Sequence, residues 1–173
     1  EGNTMVLFAS DNGSQWPVTG EGHHPNGELR EGKWSIYEGG VRTPLLVSWP
    51  GKIKGGTITD GIIALNDMLA TFAAVAGRPL PEGAGPVSLN QLPLMLGEEA
   101  AKPVRDEILM LASKPDAAYR RGHWKYVKRG ANGKTEELYD LSADLGEKNN
   151  LAAKEPERLK EMAGRFRKLR DEQ

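Results

Sequence analysis

The sequence of 173 residues predicts an α/β fold with a small antiparallel sheet and a carboxyl-terminal helix. Three observations predict this class. Residues 4–10 form an unbroken apolar run, which is typical of a central strand buried on both faces. Apolar residues recur at helical spacing over residues 65–76. Short strand-like segments then alternate with turns until a last amphipathic segment, which indicates an antiparallel meander followed by a helix.

Turn-forming residues define the other elements of the first hundred positions. Residues 45–49 are predicted to form a second strand that ends at Pro50. The helix over 65–76 is expected to end at Gly77, because glycine favours a helix terminus. Residues 13–32 are rich in Gly, Pro, His and Asn without periodicity, so they predict a long loop of the kind that often carries function.

A Pro- and Gly-rich stretch places a domain boundary near residue 104, so residues 1–104 and 105–173 are predicted to form separate domains. The second domain should contain an antiparallel meander and an amphipathic helix. Its strand candidates are residues 107–112, 119–128 and 137–141. Pro156 opens the helix, and its apolar stripe is formed by Leu159, Met162, Phe166 and Leu169. With this helix on the meander, residues 105–173 should have the more complete core.

Composition excludes several classes of protein. A hydrophobic content of 38% and a charged content of 27% are those of a globular chain, and no apolar run approaches the ~20 residues of a membrane helix. The absence of cysteine excludes disulfides and thiolate metal sites. A net charge of −1 gives no sign of nucleic-acid binding. Net charge is negative over residues 1–100 and positive over 101–173, which fits either a solvated surface or a cationic rim for an anionic substrate.

Polar residues follow the first predicted strand directly. Asp11 and Asn12 would lie at the end of a central parallel strand, at the edge where open α/β sheets bind ligands. Their oxygens suit a hard cation such as Ca²⁺ or Mg²⁺, although an Asx turn that closes the strand is an equally simple interpretation. Lys33 lies in a glycine-rich segment. It could hold an oxyanion beside the metal, or it is a surface lysine.

Three motifs at and beyond these positions form a longer pattern. They are Ser10-Asp11-Asn12-Gly13, then Arg30-x-Gly32-Lys33-x-Ser35-x-Tyr37-Glu38-Gly39-Gly40-x-Arg42-x-Pro44, and then Trp49-Pro50-Gly51-Lys52. Together they resemble the type I sulfatases of the alkaline-phosphatase-like superfamily. The resemblance continues in the family's order at residues 66–77, 121–127, 137–141 and 149–151. It covers nearly the whole chain, and the long lysine segment is its most specific part.

The resemblance implies a fold and a reaction. The chain would be the carboxyl-terminal part of an alkaline-phosphatase-like sandwich, with residues 1–104 in the α/β catalytic domain and 105–173 as a carboxyl-terminal subdomain. The activity would be sulfuric ester hydrolysis, in which a hydrated formylglycine attacks sulfur and sulfate is finally released from a sulfated sugar or aryl ester. Asp11 and Asn12 would bind Ca²⁺ or Mg²⁺, and Lys33 would contact the sulfate as a catalytic residue.

The chain departs from the family pattern at the nucleophile. In the family, the formylglycine arises from Cys or Ser in a C/S-x-P-x-R segment, and this sequence has neither a cysteine nor a serine in that context. We therefore expect the amino-terminal part of a larger enzyme to supply the nucleophile and the remaining metal ligands, and the chain alone to be inactive. Residues 1–100 should then form an incomplete α/β layer. The family also implies a periplasmic or secreted enzyme.

Histidines and tryptophans are the remaining candidates for substrate contact. His23 and His24 lie in the loop between the metal and lysine motifs, where they are either solvated or in contact with substrate. His123 is predicted to be a strand residue of the meander. Trp16 and Trp34 could stack on a sugar or aryl group, or Trp34 could only pack.

Two other functions are compatible with these residues. A phosphodiester or phosphonate hydrolase of the same superfamily would share the metal frame, and hydrolysis of aryl phosphate rather than aryl sulfate would identify it. A non-catalytic module, either a degenerate homologue or a glycan-binding domain, would lack the C/S-x-P-x-R segment in the rest of its gene.

Overall fold

The computed structural model describes residues 2–15, 22–98, 103–112, 115–130 and 133–172, so the predicted role of Trp16 lies outside the described residues. The elements in chain order are β1 (Val6–Ala9), α1 (Glu38–Val41), β2 (Leu45–Ser48), α2 (Met68–Val75), α3 (Leu92–Leu96), β3 (Glu107–Leu111), β4 (Ala117–Arg121), β5 (Trp124–Arg129), β6 (Thr135–Asp140) and α4 (Pro156–Asp171). A 3₁₀ turn over Leu65–Asp67 runs into α2, and together they form the predicted helix over 65–76. None of the described helices is long and apolar enough to cross a membrane.

The chain forms two compact units, and each is assembled from two separate stretches of sequence. The first unit contains Glu1–Ala9 and Pro44–Asp106, and the second contains Ser10–Thr43 and Glu107–Gln173. The middle stretch therefore packs with the carboxyl-terminal residues. The predicted division into residues 1–104 and 105–173 does not assign Ser10–Thr43 to the carboxyl-terminal unit. Composition along a chain says nothing about contacts between distant segments, so this pairing could not be predicted.

In the first unit, β1 and β2 form a two-stranded antiparallel ribbon. The prediction of a parallel strand is wrong for this pair. An apolar run indicates burial, but the path of the chain after it sets the direction of the neighbouring strand. Val6 and Phe8 on β1 are 60% and 64% exposed, and Leu46 on β2 is also exposed. The described residues therefore leave one face of the ribbon uncovered, in agreement with the prediction of an incomplete layer.

Asp67 ties the helical part of the first unit together. Its buried carboxylate accepts bonds from the Ala64 and Leu89 amides, each at 3.0 Å, and from Gln91 Nε2 at 2.8 Å. Arg105 Nε donates to the same carboxylate at 3.0 Å. Burial alone would raise the pKa of Asp67, but these bonds hold it below its ordinary value. The charged carboxylate thus connects the start of α2 with the segment before α3.

The second unit is built on a four-stranded antiparallel meander in the order β3-β4-β5-β6. This confirms the predicted antiparallel sheet, but the segment 119–128 contains two strands rather than one. Gly122, with a φ of 56°, and His123 form the turn between β4 and β5. His123 is therefore a turn residue, and the strand prediction for it is wrong. A two-residue turn between similar strands preserves the alternation of side chains, so periodicity alone does not reveal it.

Both faces of the meander are covered by described residues of the second unit. α4 begins at the predicted Pro156 and packs its apolar stripe on one face. The largest buried side chains of this core are Tyr119, Tyr126, Leu138, Met162 and Phe166. The opposite face has its own core, formed by Ile36, Tyr37, Ala118, Val127, Tyr139 and Leu141. Residues 105–173 supply most of both cores, in agreement with the prediction that theirs is the more complete one, but Ile36 and Tyr37 from the middle stretch help to cover the second face.

Candidate active site

Backbone hydrogen bonds hold the two motif segments against each other within the second unit. The Gly13 amide donates to the Gly40 carbonyl at 2.9 Å, and the Lys33 amide donates to the Ser14 carbonyl at 2.8 Å. The predicted metal ligands directly precede Gly13 in the sequence. The structure therefore brings them and the predicted sulfate-binding lysine onto neighbouring segments.

The absence of side chains at two glycines allows this close approach. A Cβ atom on Gly13 would lie 1.7 Å from the Gly39 carbonyl oxygen, and one on Gly40 would lie 2.2 Å from the Ser35 carbonyl oxygen. Both distances are far inside van der Waals contact, so only glycine fits either position. The Gly39 amide also donates to the Arg30 carbonyl at 2.9 Å, which closes the lysine segment around α1.

The side chains at the predicted metal site are accessible. Asp11 is exposed and Asn12 is half-buried, and neither side chain bonds to another described residue. Ser10 Oγ donates to the Asn12 backbone carbonyl at 2.8 Å, which fixes the turn after β1 and leaves the side-chain oxygens available. Among the described residues, no group of three or more His, Cys, Asp or Glu side chains could hold a metal ion. Asp11 and Asn12 are therefore at most part of a metal site.

Lys33 is half-buried, and its Nζ lies 5.0 Å from the centroid of the Trp34 ring. Trp34 is 63% exposed and has a φ of 77°. A bulky residue with positive φ is strained, and such strain persists where the surrounding structure imposes it, often at functional sites. In this structure, Trp34 thus lies on the surface beside Lys33 rather than inside a core.

The loop before the lysine segment contains the two predicted substrate histidines. His23 and His24 are exposed, and their side chains bond to no residue that the structure describes. Asn26 connects the motif segments instead: its Oδ1 accepts the Ser14 amide at 3.1 Å, and its Nδ2 donates to the Glu31 carbonyl at 2.9 Å. The one sequence signal for this residue is the Asn-Gly pair, which marks a turn.

A buried ion cluster, composed of Glu38, Lys125 and Glu147, lies at the first residue of α1. Lys125 Nζ is 2.9 Å from Glu38 Oε1 and 2.9 Å from Glu147 Oε1, and the three side chains are at most 2% exposed. Glu147 Oε2 accepts the Glu38 backbone amide at 2.6 Å. Burial raises the pKa of the Glu147 carboxyl, although the charge of Lys125 acts in the opposite direction.

A second network holds the start of the lysine segment. The Arg30 guanidinium lies 3.6 Å from the centroid of the Tyr37 ring and donates to the Glu147 carbonyl at 3.0 Å. The hydroxyls of Tyr37 and Tyr139 both donate to Glu137 Oε2, at 2.7 and 2.9 Å. Burial and the bond to Glu137 raise the pKa of Tyr37 to about 12. Tyr37 therefore stays protonated at neutral pH and acts as a fixed hydrogen-bond donor.

This arrangement of an Asp-Asn turn, a glycine-bounded lysine segment and an antiparallel subdomain defines the carboxyl-terminal region of a sulfatase. The family described as N-sulphoglucosamine sulphohydrolase, C-terminal, matches residues 31–172. The chain belongs to this sulfatase family, which confirms the resemblance that its motifs show.

Curated relatives are sulfatases of greater length. The chain is 35% identical over 185 residues to an N-acetylgalactosamine-6-O-sulfatase from Bacteroides thetaiotaomicron, and the match covers 93% of the chain and 35% of the relative. It is 36% identical over 176 residues to arylsulfatase A from Homo sapiens, with 86% of the chain and 33% of the relative covered. The chain thus spans about a third of the length of these relatives.

Solved structures show the same fold. A crystal structure of Ps i-CgsB in complex with k-i-k-neocarrahexaose has 30% identity and a TM-score of 0.82, and the match covers 97% of the chain and 36% of that structure. A second structure comes from work on the metabolism of multiple glycosaminoglycans by Bacteroides thetaiotaomicron. It has 34% identity and a TM-score of 0.84, and the match covers 97% of the chain and 39% of that structure. These matches confirm the predicted α/β class with its antiparallel sheet and terminal helix.

Proposed function

We propose that the protein containing this chain is a sulfatase that hydrolyses the ester of a sulfated sugar or an aryl sulfate. The observation that supports this proposal is the pairing of the segment after β1 with the Lys33 segment, in a chain of the sulfatase family. Asp11 and Asn12 would contribute hard oxygen ligands, and Lys33 would contribute positive charge beside the same sulfate.

The residues of this chain fit those roles chemically. Asp11 and Asn12 offer a carboxylate and an amide oxygen, both accessible, and such donors suit Ca²⁺ or Mg²⁺. The bound cation would neutralise negative charge on the sulfate oxygens. Lys33 would donate N–H bonds to a sulfate oxygen and stabilise the charge that grows there in the transition state. His23 and His24, exposed in the preceding loop, are proposed substrate contacts.

A sugar ring suits the surface beside Lys33. Trp34 is exposed there, and aromatic side chains line sites that bind the apolar faces of ligands. The names of the relatives include an N-acetylgalactosamine-6-O-sulfatase, and one similar structure contains a neocarrahexaose. We therefore assign Trp34 to the binding of a sugar ring of the sulfated substrate.

The nucleophile would come from sequence outside these 173 residues, since they contain no cysteine and no serine in a C/S-x-P-x-R segment. The amino-terminal part of the enzyme would supply it as formylglycine and would complete the metal site, so the chain alone would be inactive. In that enzyme, residues 1–104 would belong to the α/β catalytic domain and 105–173 to the carboxyl-terminal subdomain. We place the enzyme in the periplasm or outside the cell, as the family resemblance implies.

Replacing Lys33 tests the proposed reaction. In the whole enzyme, Lys33→Ala should lower kcat for an aryl sulfate by about 10²–10³-fold, because one donor to the developing charge is lost. Lys154→Ala, at an exposed lysine of the same unit and outside the family motifs, is the matched control and should leave kcat unchanged. Thermal unfolding of both variants separates lost chemistry from lost structure. Near-normal turnover by Lys33→Ala would refute the assignment.

The same enzyme preparations test the other roles. Asp11→Ala should weaken Ca²⁺ binding in calorimetry, and unchanged affinity would remove Asp11 from the metal site. Trp34→Ala should raise KM for a sulfated oligosaccharide more than for an aryl sulfate, while Trp34→Phe keeps most of the binding. An equal change of KM for both substrates would contradict the sugar assignment.

Two outcomes would favour the alternative functions. Faster hydrolysis of aryl phosphate than of aryl sulfate would indicate a phosphodiester or phosphonate hydrolase. Binding of a sulfated glycan without turnover, together with a gene that lacks the C/S-x-P-x-R segment, would indicate a non-catalytic module.

A further inference from the structure

We infer that Lys125 is a positioning residue for the active site, although it belongs to β5 of the meander. The ion cluster of Glu38, Lys125 and Glu147 would hold α1 in place, and α1 would hold both motif segments. This inference rests on the proposed function, because it concerns the geometry of the same site.

Glu38 anchors α1 to the meander through both its side chain and its backbone. The Glu38 carboxylate pairs with Lys125 at 2.9 Å, while the Glu38 backbone amide donates to Glu147 at 2.6 Å. Lys125 also pairs with Glu147, so the three residues form a closed ring that fixes both the side chain and the backbone of Glu38. A helix of four residues has too few internal hydrogen bonds to fix its own position. The ring therefore sets where α1 lies relative to the meander.

Backbone hydrogen bonds connect α1 to both motif segments. Gly40 accepts the Gly13 amide, and Gly39 donates to Arg30, both at 2.9 Å. Because a Cβ atom on Gly13 would fall 1.7 Å from the Gly39 oxygen, no side chain lies between these backbones to absorb a shift. Interiors this tightly packed transmit displacement. A movement of α1 would thus move the segment that carries Asp11.

Charged side chains, rather than apolar ones, fill the space between α1 and β5. Well-packed apolar residues often stabilise a core as much as a buried ion pair does, whereas charged hydrogen bonds add fixed distances and directions. The second unit already has an apolar core on each face of the meander. Its ion cluster lies where a shift would reach both motif segments. Position and chemistry together therefore favour a geometric role.

Amide hydrogen exchange in the 173-residue chain tests this inference without depending on catalysis. The probes are the amides of Gly13 and Lys33, which bond across the two motif segments. Lys125→Met removes the charge and keeps most of the length of the side chain, which becomes one atom shorter. It should speed exchange of both probes by about tenfold or more, while the Phe166 amide inside α4 keeps its protection.

A matched control and a milder variant separate positioning from general stability. Arg165 donates to Glu107 at 2.9 Å and joins α4 to β3, so Arg165→Met breaks an ion pair of the same unit at a distance from α1. It should leave exchange of both probes unchanged. Glu147→Gln removes one charge but keeps an oxygen for the Glu38 amide. It should speed exchange of the probes less than Lys125→Met does.

Each outcome has a definite meaning. Unchanged exchange of the probes in both Lys125→Met and Glu147→Gln would overturn the inference. Equal acceleration of the probes and of α4 in both variants would also overturn it, because the cluster would then only stabilise the unit. In the whole enzyme, Lys125→Met should weaken Ca²⁺ binding and lower kcat. Lys125→Arg should restore part of both, since a guanidinium can still bridge two carboxylates.

The two proposals can fail separately. If the unvaried whole enzyme shows no sulfatase activity but Lys125→Met still speeds exchange of the two probes, the proposed function is refuted and the positioning role is kept. If the whole enzyme is an active sulfatase but Lys125→Met and Glu147→Gln leave exchange of the two probes unchanged, the positioning role is refuted and the proposed function is kept.

Discussion

Phe8 in the first unit and Phe166 in the second are the same residue type in opposite surroundings. Phe8 is 64% exposed on the β1–β2 ribbon, whereas Phe166 is 1% exposed between α4 and the meander. Other exposed apolar side chains of the first unit include Val6, Leu46, Ile58, Leu69 and Phe72. The described residues close the sheet of the second unit on both faces, whereas they leave one face of the β1–β2 ribbon in the first unit uncovered. An apolar residue thus shows that a surface needs cover, but not which part of a protein supplies that cover.

The largest effect on stability should come from Phe166. Phe166→Ala should lower the free energy of unfolding by about 3–5 kcal/mol, because it leaves a cavity in a packed core. Phe8→Ala should lower it by less than about 1 kcal/mol, because an exposed side chain makes few contacts. Urea unfolding followed by circular dichroism measures both variants. If both variants lowered the free energy of unfolding equally, the contrast between the two units would be wrong, since Phe8 would then be covered in solution.

Carboxylates paired with arginine give a second, smaller contrast. Asp67 is buried with Arg105, so Asp67→Asn should lower the free energy of unfolding by about 2–3 kcal/mol through weakened bonds to a charged group. The Glu107–Arg165 pair of the second unit is partly exposed, and Glu107→Gln should cost about 1 kcal/mol or less because solvent screens the pair. Urea unfolding at neutral pH ranks the two. A larger loss at Glu107 would contradict a ranking by burial.

Acid should act on the two units through carboxyl groups whose pKa values are shifted in opposite directions, and this is the smallest expected effect. The pKa of Asp67 is lowered, so its contribution to stability is present above the unfolded-state value of ~3.9 and is lost as pH falls through the folded value. The pKa of Glu147 is raised, so its contribution is present below the unfolded-state value of ~4.3 and is lost as pH rises through the folded value.

Two variants test these signs in thermal melts between neutral pH and about pH 3. Asp67→Asn should reduce the loss of stability on acidification, because a group that favours folding only when charged has been removed. Glu147→Gln should increase that loss, because the group that favours folding when protonated is gone. A change in the same direction for both variants would contradict the assignment.

Features with local signals are the ones that the sequence predicts correctly. α4 begins at Pro156 and buries the predicted stripe, because a helix start and a helical period both lie within a few residues. The turn at Gly122 is missed because it interrupts an otherwise regular alternation. Asp11, Asn12 and Lys33 are found through the family resemblance, and their functional roles stay predictions.

Long-range pairing is what a single sequence does not predict. Glu38 bonds to Lys125 at a separation of 87 residues and to Glu147 at 109 residues. Lys125 stands in an alternating strand, where a lysine resembles a surface residue, and its burial depends on carboxylates from distant segments. The covering of the meander by Ile36 and Tyr37 is missed for the same reason.

These separations also order events during synthesis on the ribosome. Lys125 and Glu147 are translated 87 and 109 residues after Glu38, so at typical rates the lysine segment waits roughly 5–20 s for its last partner. During that time Ile36 and Tyr37 have no meander to cover, and the nascent segment is open to chaperones and proteases. We therefore expect the residues closest to the proposed chemistry to be among the last to reach their final positions. A prematurely terminated chain would be left with its motif segments unanchored.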